Sequence, residues 1–390
     1  MCLTDVMMFD TAVMGGGLAG CHAAITLAQQ GQRVLLLEAG DYPRHKVCGE
    51  FLSPECAALF AETGFLEVLR QHKPETIRTV RLTAPDGTEW RTTFPKSAIG
   101  ISRYALDAAL ADYAVQQGVE LQTRTRVSAV TGSLTDGFTL NVRSDAGPVT
   151  IMARSMIAAH GKRSTLDRSL NRTFLRQPQP YVGLKRHFNG PPLTQHLDLH
   201  IFPGGYCGMS EVEDGSANVC LLVRQEVFQR AAGDPPAIDR FITWMGQQNP
   251  VLGTWLKEAV PVEDEWLSVS QIPLMNKGAV QDDILFAGDA AGMIAPLAGD
   301  GMAMALHGGK LAAESIARWL SNEMTAEQML RDYDRTWQRT FAMRLRLGRA
   351  LQAVMLRPSL LIPGLRLMNR LPMLGDFIVT QTRDLKLAER

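Results

Sequence analysis

Two short stretches hold most of the chemistry written into this chain of 390 residues. The first runs Val13-Met14-Gly15-Gly16-Gly17-Leu18-Ala19-Gly20. Gly15, Gly17 and Gly20 stand at G-x-G-x-x-G spacing, after an apolar run at 9–14 and before a helix-compatible run at 18–30. The spacing predicts a tight turn at Gly15, a bare backbone at Gly17 that lets a pyrophosphate approach, and close helix–strand packing at Gly20. Free N–H groups at the helix start, around Leu18 and Ala19, and the positive dipole end would face the phosphates. A second aliphatic run at 33–37 ends in Glu38 and Ala39, placing an acid 18 residues past Gly20. A carboxylate there accepts from both hydroxyls of an adenosine ribose and repels a 2′-phosphate, which disfavours NADP at this site.

The second stretch is Ile284-Leu285-Phe286-Ala287-Gly288-Asp289-Ala290-Ala291-Gly292, followed by Pro296, Gly299-Asp300-Gly301 and Met302. A helix cap at Asp289 explains a Gly-Asp pair alone but not the proline and glycine spacing beyond it. A plain dinucleotide dehydrogenase has no use for this segment.

The elements that must position these groups can be sketched from pattern. A helix region is expected at 53–69, a hairpin at 77–94 around Pro85-Asp86-Gly87, and a helix at 103–117 stopped by Gly118. Short strands fill 119–159, and further strands 181–188, 197–202, 206–212 and 217–223. Residues 235–258 read as helical, 283–287 as a buried strand and 301–320 as a long helix of small residues. Nucleotide-binding pieces therefore lie at both ends of the chain with a β-rich layer between them. The expected architecture is α/β: a discontinuous Rossmann-type domain (1–75, 100–170 and 272–325), a β-sheet substrate domain (76–99 and 171–271) and a helical C-terminal segment (326–390).

Composition narrows the partners. Forty basic and 40 acidic side chains cancel, so no global field gathers nucleic acid. Hydrophobic residues make up 46% and charged residues 21%, an ordinary globular balance. The six cysteines form no C-x-x-C pair, and no His/Cys cluster has zinc spacing, so no metal is expected. No run approaches the roughly 18 apolar residues of a spanning helix. The apolar N-terminus leads straight into the glycine turn, so it reads as the first strand rather than a signal peptide. A cytoplasmic or membrane-peripheral location is expected.

Together the two stretches resemble the flavin-binding segments of FAD-dependent oxidoreductases of the aromatic-hydroxylase fold, and more closely their geranylgeranyl-reductase-like branch. Pro43, Lys46, Cys48 and Gly49 are similar to that branch's P-x-x-K-x-C-G segment, whose turn lies beside the flavin. The resemblance implies FAD as cofactor, Asp289 after Gly288 on the ribityl chain, and Pro296, Gly299, Gly301 and Met302 along the isoalloxazine. It implies that Arg103 contacts the cofactor and that Val127 meets adenine through its backbone. Gly204-Gly205-Tyr206 resembles strands that roof a substrate pocket. Cys48, Tyr206 and His160 are the candidate catalytic residues.

His160, in Ala158-Ala159-His160-Gly161, stands where aromatic hydroxylases carry an aspartate tied to NADPH handling. The reductant is then NAD(P)H docked differently, a separate flavin reductase or a ferredoxin; His160 is either catalytic or a buried structural histidine. The expected activity is oxidation–reduction of a hydrophobic small molecule, free or carrier-bound, of monooxygenase or hydroxylase type. The alternatives are alkene reduction of a prenyl or polyketide double bond, halogenation, or a non-catalytic prenyl-binding role. The tryptophan motif of flavin halogenases is not reproduced at Glu265-Trp266-Leu267-Ser268. Residues 330–370 carry nine arginines against Asp332 and Asp334, with apolar residues at helical spacing and breaks expected at Pro358 and Pro363. This segment is either a cap packed on the body or a face for a membrane surface, an acidic carrier or a lipid-like substrate.

Overall fold

The computed structural model describes residues 8–371. β1 (Met8–Met14), the glycine turn, α1 (Leu18–Gln29) and β2 (Val34–Leu37) form the expected strand–turn–helix–strand unit. A short strand, β3 (Phe51–Leu52), leads into two helices, α2 (Glu55–Glu62) and α3 (Phe65–Gln71). The single helix expected at 53–69 is divided because Gly64 adopts φ 79°, a left-handed conformation that stops α2. The hairpin β4 (Glu75–Thr83) and β5 (Glu89–Gly100) follows, then α4 (Arg103–Gln116). Strands β6 (Glu120–Gln122), β7 (Arg126–Ser133), β8 (Gly137–Ser144) and β9 (Gly147–Ala158) make the meander, and a one-turn helix, α5 (Thr165–Ser169), ends it.

The central strands are β10 (Tyr181–Asn189), β11 (His196–Phe202), β12 (Gly205–Glu211) and β13 (Ala217–Arg224). Helices α6 (Gln225–Ala232), α7 (Ile238–Gln248) and α8 (Pro250–Glu258) come next. Asn249 divides the helix expected at 235–258: its side chain caps α8 at Leu252 N–H, 3.2 Å away, and donates to Thr83 and Ile201. Strands β14 (Val260–Pro261), β15 (Leu267–Ser270), β16 (Val280–Gln281) and β17 (Ile284–Phe286) precede three helices. These are α9 (Gly301–Leu320), α10 (Ala326–Met355) and α11 (Pro358–Arg370). Pro363 lies inside α11 and does not break it; the residue is exposed, so the carbonyl it leaves without a partner can turn to water.

Two sheets organise these elements. One has the order β16-β17-β9-β1-β2-β6, with β7 and β8 joined through β8 to the first half of β9. Its β17, β9, β1, β2 and β6 run parallel. Strands β2 and β17 read as unbroken, fully buried apolar runs, as expected where helices such as α1 and α9 cover a parallel sheet. The other sheet has the order β14-β10-β13-β12-β11-β4-β5-β3, with β15 paired to β10, and is antiparallel except where β11 meets β4. Strand β3 belongs to this second sheet through β5 although it sits in the N-terminal part of the chain. The Cys48-Gly49 turn just before it therefore lies where the two sheets meet.

Candidate active site

Gly15 ends β1 at φ 106°, and a methyl group added there would lie 2.5 Å from the Ala159 carbonyl oxygen at the end of β9. A methyl on Gly20 would lie 1.8 Å from Gly15 O, so these two glycines allow the backbone to close up. Gly17 differs. A methyl there would point at the Arg103 and Lys46 side chains, 3.8 and 3.9 Å off. Gly17 caps α1 without a side chain, so the first-turn N–H groups of Leu18 and Ala19 have no intrahelical acceptor and face the same space as the two cations.

Those cations share one buried acid. Arg103 donates to Asp107 through Nε (2.6 Å) and Nη2 (2.8 Å), and Lys46 Nζ donates to it at 2.5 Å. Burial pushes the Asp107 carboxyl up, but Arg103 and Lys46 outweigh it and hold it below the ordinary range. Two cations against one carboxylate leave a net positive charge at the helix start. Glu38 is similarly held: it accepts from Gly16 N–H (2.9 Å), Gly40 N–H (2.8 Å) and Arg44 (2.7 Å). Burial opposes its ionisation, and Arg44 and Gly40 restore it.

The Gly288-Asp289 loop is built in another way. Gly288 takes φ 59° and packs on Ala19, bringing the loop onto α1. Arg172, fully buried, fixes it from below by donating to the carbonyls of Ala290 (2.7 Å), Lys277 (2.8 Å) and Gly278 (2.7 Å). Its guanidinium lies 3.8 Å over the Phe286 ring and 3.3 Å from Asp167. The Asp289 carboxylate makes no hydrogen bond among the described residues, and burial pushes its pKa up against the pull of Lys277, Arg103 and Lys162. Lys277, buried beside it, is pushed down to about 8 by burial. His160 Nε2 pairs with Asp167 at 3.1 Å, and the ring packs edge-on to Phe286. Burial lowers its pKa despite Asp167. His160 thus adjoins the Arg172 anchor while also facing the cavity.

The Cys48 turn closes the third side. Cys48 Sγ lies 3.8 Å from Met302 Sδ at the start of α9, and the Arg103 guanidinium is near enough to the same sulfur to interact with it electrostatically. Asn218 of β13 donates to Cys48 O at 3.1 Å. Glu50, with left-handed φ 53°, is wholly buried. It accepts from Lys185 Nζ (2.5 Å), Arg103 N–H (2.6 Å) and His187 Nε2 (2.8 Å), tying the turn to β10 and α4. Burial raises its carboxyl, and His187 and Lys185 bring it back below the ordinary range. Ligand atoms of His45, His187 and Glu263 also lie within 4.8 Å of one another, close enough to share a cation.

All these parts line one cavity of about 710 Å³. Gly15, Gly17, Leu18, Ala19, Glu38, Ala39, Lys46, Cys48, Gly49, Arg103, Val127, His160, Tyr206, Gly288, Asp289, Pro296, Gly299, Gly301 and Met302 all border it. Among the expected site residues Gly20 alone does not, being packed under the turn. Val127 O is engaged by Thr165 Oγ1 at 3.0 Å. Beyond Cys48 the cavity becomes apolar, walled by Leu197 and Leu199 of β11, Tyr206 of β12, Leu222 of β13, Val269 of β15, Ile272 and Leu297. Tyr206 is buried, its hydroxyl set against the Leu297 backbone, and burial raises its pKa well above the ordinary value. Sequence reasoning missed Asp107, Glu50, Arg172 and Arg44. Asp107 stands four residues after Arg103, a helical pairing that was there to be found. Arg172 gives no local signal.

The family model described as an FAD binding domain matches residues 8–192. Menaquinone reductase of Mycolicibacterium smegmatis is 27% identical over 320 residues, 78% of this chain and 75% of that protein. Digeranylgeranylglycerophospholipid reductase 2 of Methanopyrus kandleri is 27% identical over 348 residues, 86% and 83% of the two chains. The solved geranylgeranyl bacteriochlorophyll reductase-like protein of Thermoplasma acidophilum superposes with TM-score 0.74 at 19% identity, covering 88% of this chain and 87% of its own. The protein is an FAD-dependent oxidoreductase, and it is similar to proteins of the geranylgeranyl-reductase-like branch. For such a flavoenzyme the cavity offers what FAD needs: cationic groups and free N–H donors at Gly17, an acid at Glu38, and at Asp289 a half-buried carboxylate with no donor among the described residues. Among the described residues, no helix is long and apolar enough to cross a membrane.

Proposed function

We propose that this flavoenzyme reduces a carbon–carbon double bond in an apolar, chain-like substrate. The observation that carries the reading is the apolar chamber opening off the cradle at Cys48 and Met302, whose seven named walls all belong to one hydrophobic cluster. The reductase names of the relatives, two of them on lipids, support it.

Bound and reduced by NAD(P)H or another reductant, FAD supplies the hydride. The chain's residues supply the rest. Arg103, Lys46 and the N–H groups of Leu18 and Ala19 would hold the pyrophosphate, Glu38 the adenosine ribose, and Asp289 the ribityl hydroxyls. Gly299, Gly301, Pro296 and Met302 would floor the ring. Hydride added to one alkene carbon leaves the other in need of a proton. Cys48 faces the junction of cradle and chamber and is the donor on this reading, and the nearby Arg103 cation would offset the negative charge left on the sulfur. Tyr206 shapes the chamber further in. The leucine, valine and isoleucine walls exclude water, which keeps the hydride from being lost to solvent.

The test is anaerobic incubation of dithionite-reduced enzyme with a polyprenyl lipid or menaquinone, followed by mass spectrometry. The expected product gains two hydrogens per reduced bond. Cys48→Ala retains FAD and loses at least tenfold in turnover. A product that gains one oxygen, formed only in air, overturns the reading in favour of the hydroxylase one.

A further inference from the structure

The inner face of α10 is clear: Trp337, Phe341, Leu345, Gly348, Gln352 and Met355 are buried against the body. These residues recur at three- and four-residue spacing and define one stripe. The opposite side carries a second apolar stripe that no other described residue covers. Met343, Leu347 and Val354 in α10, and Leu360, Leu367 and Leu371 in and just after α11, are 43–66% exposed. Within each set the spacings are four and seven residues, so each triplet falls on a single helical face. Scattered surface leucines are ordinary; two aligned triplets on successive helices form a patch.

Charge decides what the patch is for. From residue 335 to residue 371 there is no aspartate or glutamate and there are eight arginines. Arg335, Arg344 and Arg366 pair with Asp332, Glu55 and Asp86. Arg339, Arg346, Arg349, Arg357 and Arg370 are exposed and have no acidic partner among the described residues. On a helical wheel Arg339 and Arg346 of α10 fall within about 60° of Met343, at the border of the Met343–Leu347–Val354 line, and Arg357 follows the helix as the N-cap of α11. An apolar stripe bordered by unpaired arginines is the arrangement of a helix lying in a lipid–water interface, apolar side chains among the acyl chains and cations at anionic headgroups.

We propose that the outer face of α10 and α11 docks on an anionic lipid bilayer. The inner side of the same helical pair supplies Met355, Leu361 and Leu365 to the cluster that walls the apolar chamber. The docked face and the chamber are thus two sides of one helical layer. The proposal does not depend on the double-bond reading and stands or falls by a separate measurement.

The experiment is co-sedimentation of the full-length, FAD-loaded protein with sucrose-filled vesicles, either phosphatidylcholine alone or phosphatidylcholine with about one third phosphatidylglycerol. The expected result is binding to the anionic vesicles, weak binding to the neutral ones, and loss of the difference as salt shortens the screening length. The triple variant Arg346→Gln/Arg349→Gln/Arg357→Gln should lose about fivefold in partitioning per arginine, about 100-fold in all. Met343→Ser/Leu347→Ser/Val354→Ser should weaken binding to both vesicle types. Both variants should keep parental FAD content and melting temperature, because all six side chains are exposed. The proposal is overturned if the parent protein stays in the supernatant with anionic vesicles, or if neither triple variant changes its partitioning. It is equally overturned if light scattering finds a dimer that the apolar triple dissociates, which would give the face to a second copy of the chain.

Discussion

The cradle beneath Gly17 and the loop at Asp289 both set carboxylates beside one cavity, and they treat them in opposite ways. Asp107 is gripped by Arg103 and Lys46, and Glu38 by two backbone N–H groups and Arg44; both are held below the ordinary carboxylate range. Asp289 has cations in its neighbourhood but no hydrogen-bond donor among the described residues, and burial holds it above that range. A buried acid with all its donors in the protein is architecture, fixing two elements against each other. A half-buried acid at the cavity wall without them is one whose missing donors a ligand can supply. The contrast separates residues that build the site from the one that waits for its contents.

The largest effect expected from breaking this contrast is at Asp107. Asp107→Asn leaves Arg103 and Lys46 facing each other without their shared anion, and should cost about 3–5 kcal/mol in denaturant unfolding of the apoprotein. Next is Glu50→Gln, which removes the charge opposite buried Lys185 and should cost at least about 2 kcal/mol in the same assay. Asp289→Asn should behave differently: apoprotein stability holds or rises, while FAD affinity falls about 10- to 100-fold by fluorescence titration, the worth of hydrogen bonds to a charged acceptor. If Asp289→Asn instead unfolds the apoprotein as Asp107→Asn does, the contrast is wrong.

Acid titration sharpens it. The Asp107 contribution to stability is present above the unfolded carboxylate value and is lost as pH falls through its lower folded value. For Asp289 the sign reverses: its raised folded pKa makes the apoprotein relatively favoured at low pH, and this is lost as pH rises. Hydroxyl donors on Asp289 favour its charged form, so FAD binding should release a proton, and affinity should climb with pH just above the ordinary carboxylate range. Asp289→Asn should flatten that climb. The smallest effect is expected at Lys277, whose folded pKa of about 8 lies below the ordinary 10.5. Its burial as a cation costs stability below pH 8, and the cost fades as pH rises towards 10.5. Lys277→Met should therefore gain on the parent protein near neutral pH and lose that gain in alkali, read as the difference in melting temperature at each pH.

What could be read in advance followed contact distance along the chain. Gly15, Gly17, Gly20 and Glu38 lie within one strand–helix–strand unit, so spacing alone implied their geometry. The Cys48-Gly49 and Gly288-Asp289 turns were legible through resemblance, and both reach the cavity. Arg172 was not legible, because its three carbonyl partners lie 105, 106 and 118 residues away and a carbonyl leaves no mark in sequence. Glu50 was hidden for a related reason: Lys185 and His187 meet it only once β10 crosses the Cys48 turn. The helix boundaries that moved did so at Gly64 and Asn249, where a left-handed glycine and a buried cap ended helices that hydrophobic period alone would have continued.

The position of β17 in the flavin sheet bears on how the protein is made. Strands β1 and β9 are translated early, yet the edge of β9 stays open until residues 284–286 arrive, and α9, which covers α1, is complete only at Leu320. Most of the chain must leave the ribosome before the first domain to be started can be finished, and until then an apolar parallel strand stands uncovered in the nascent protein. A stop codon before β17 therefore yields a sheet without its last strand rather than a smaller enzyme, and newly made chains will need shelter from aggregation for longer than a domain encoded in one piece would.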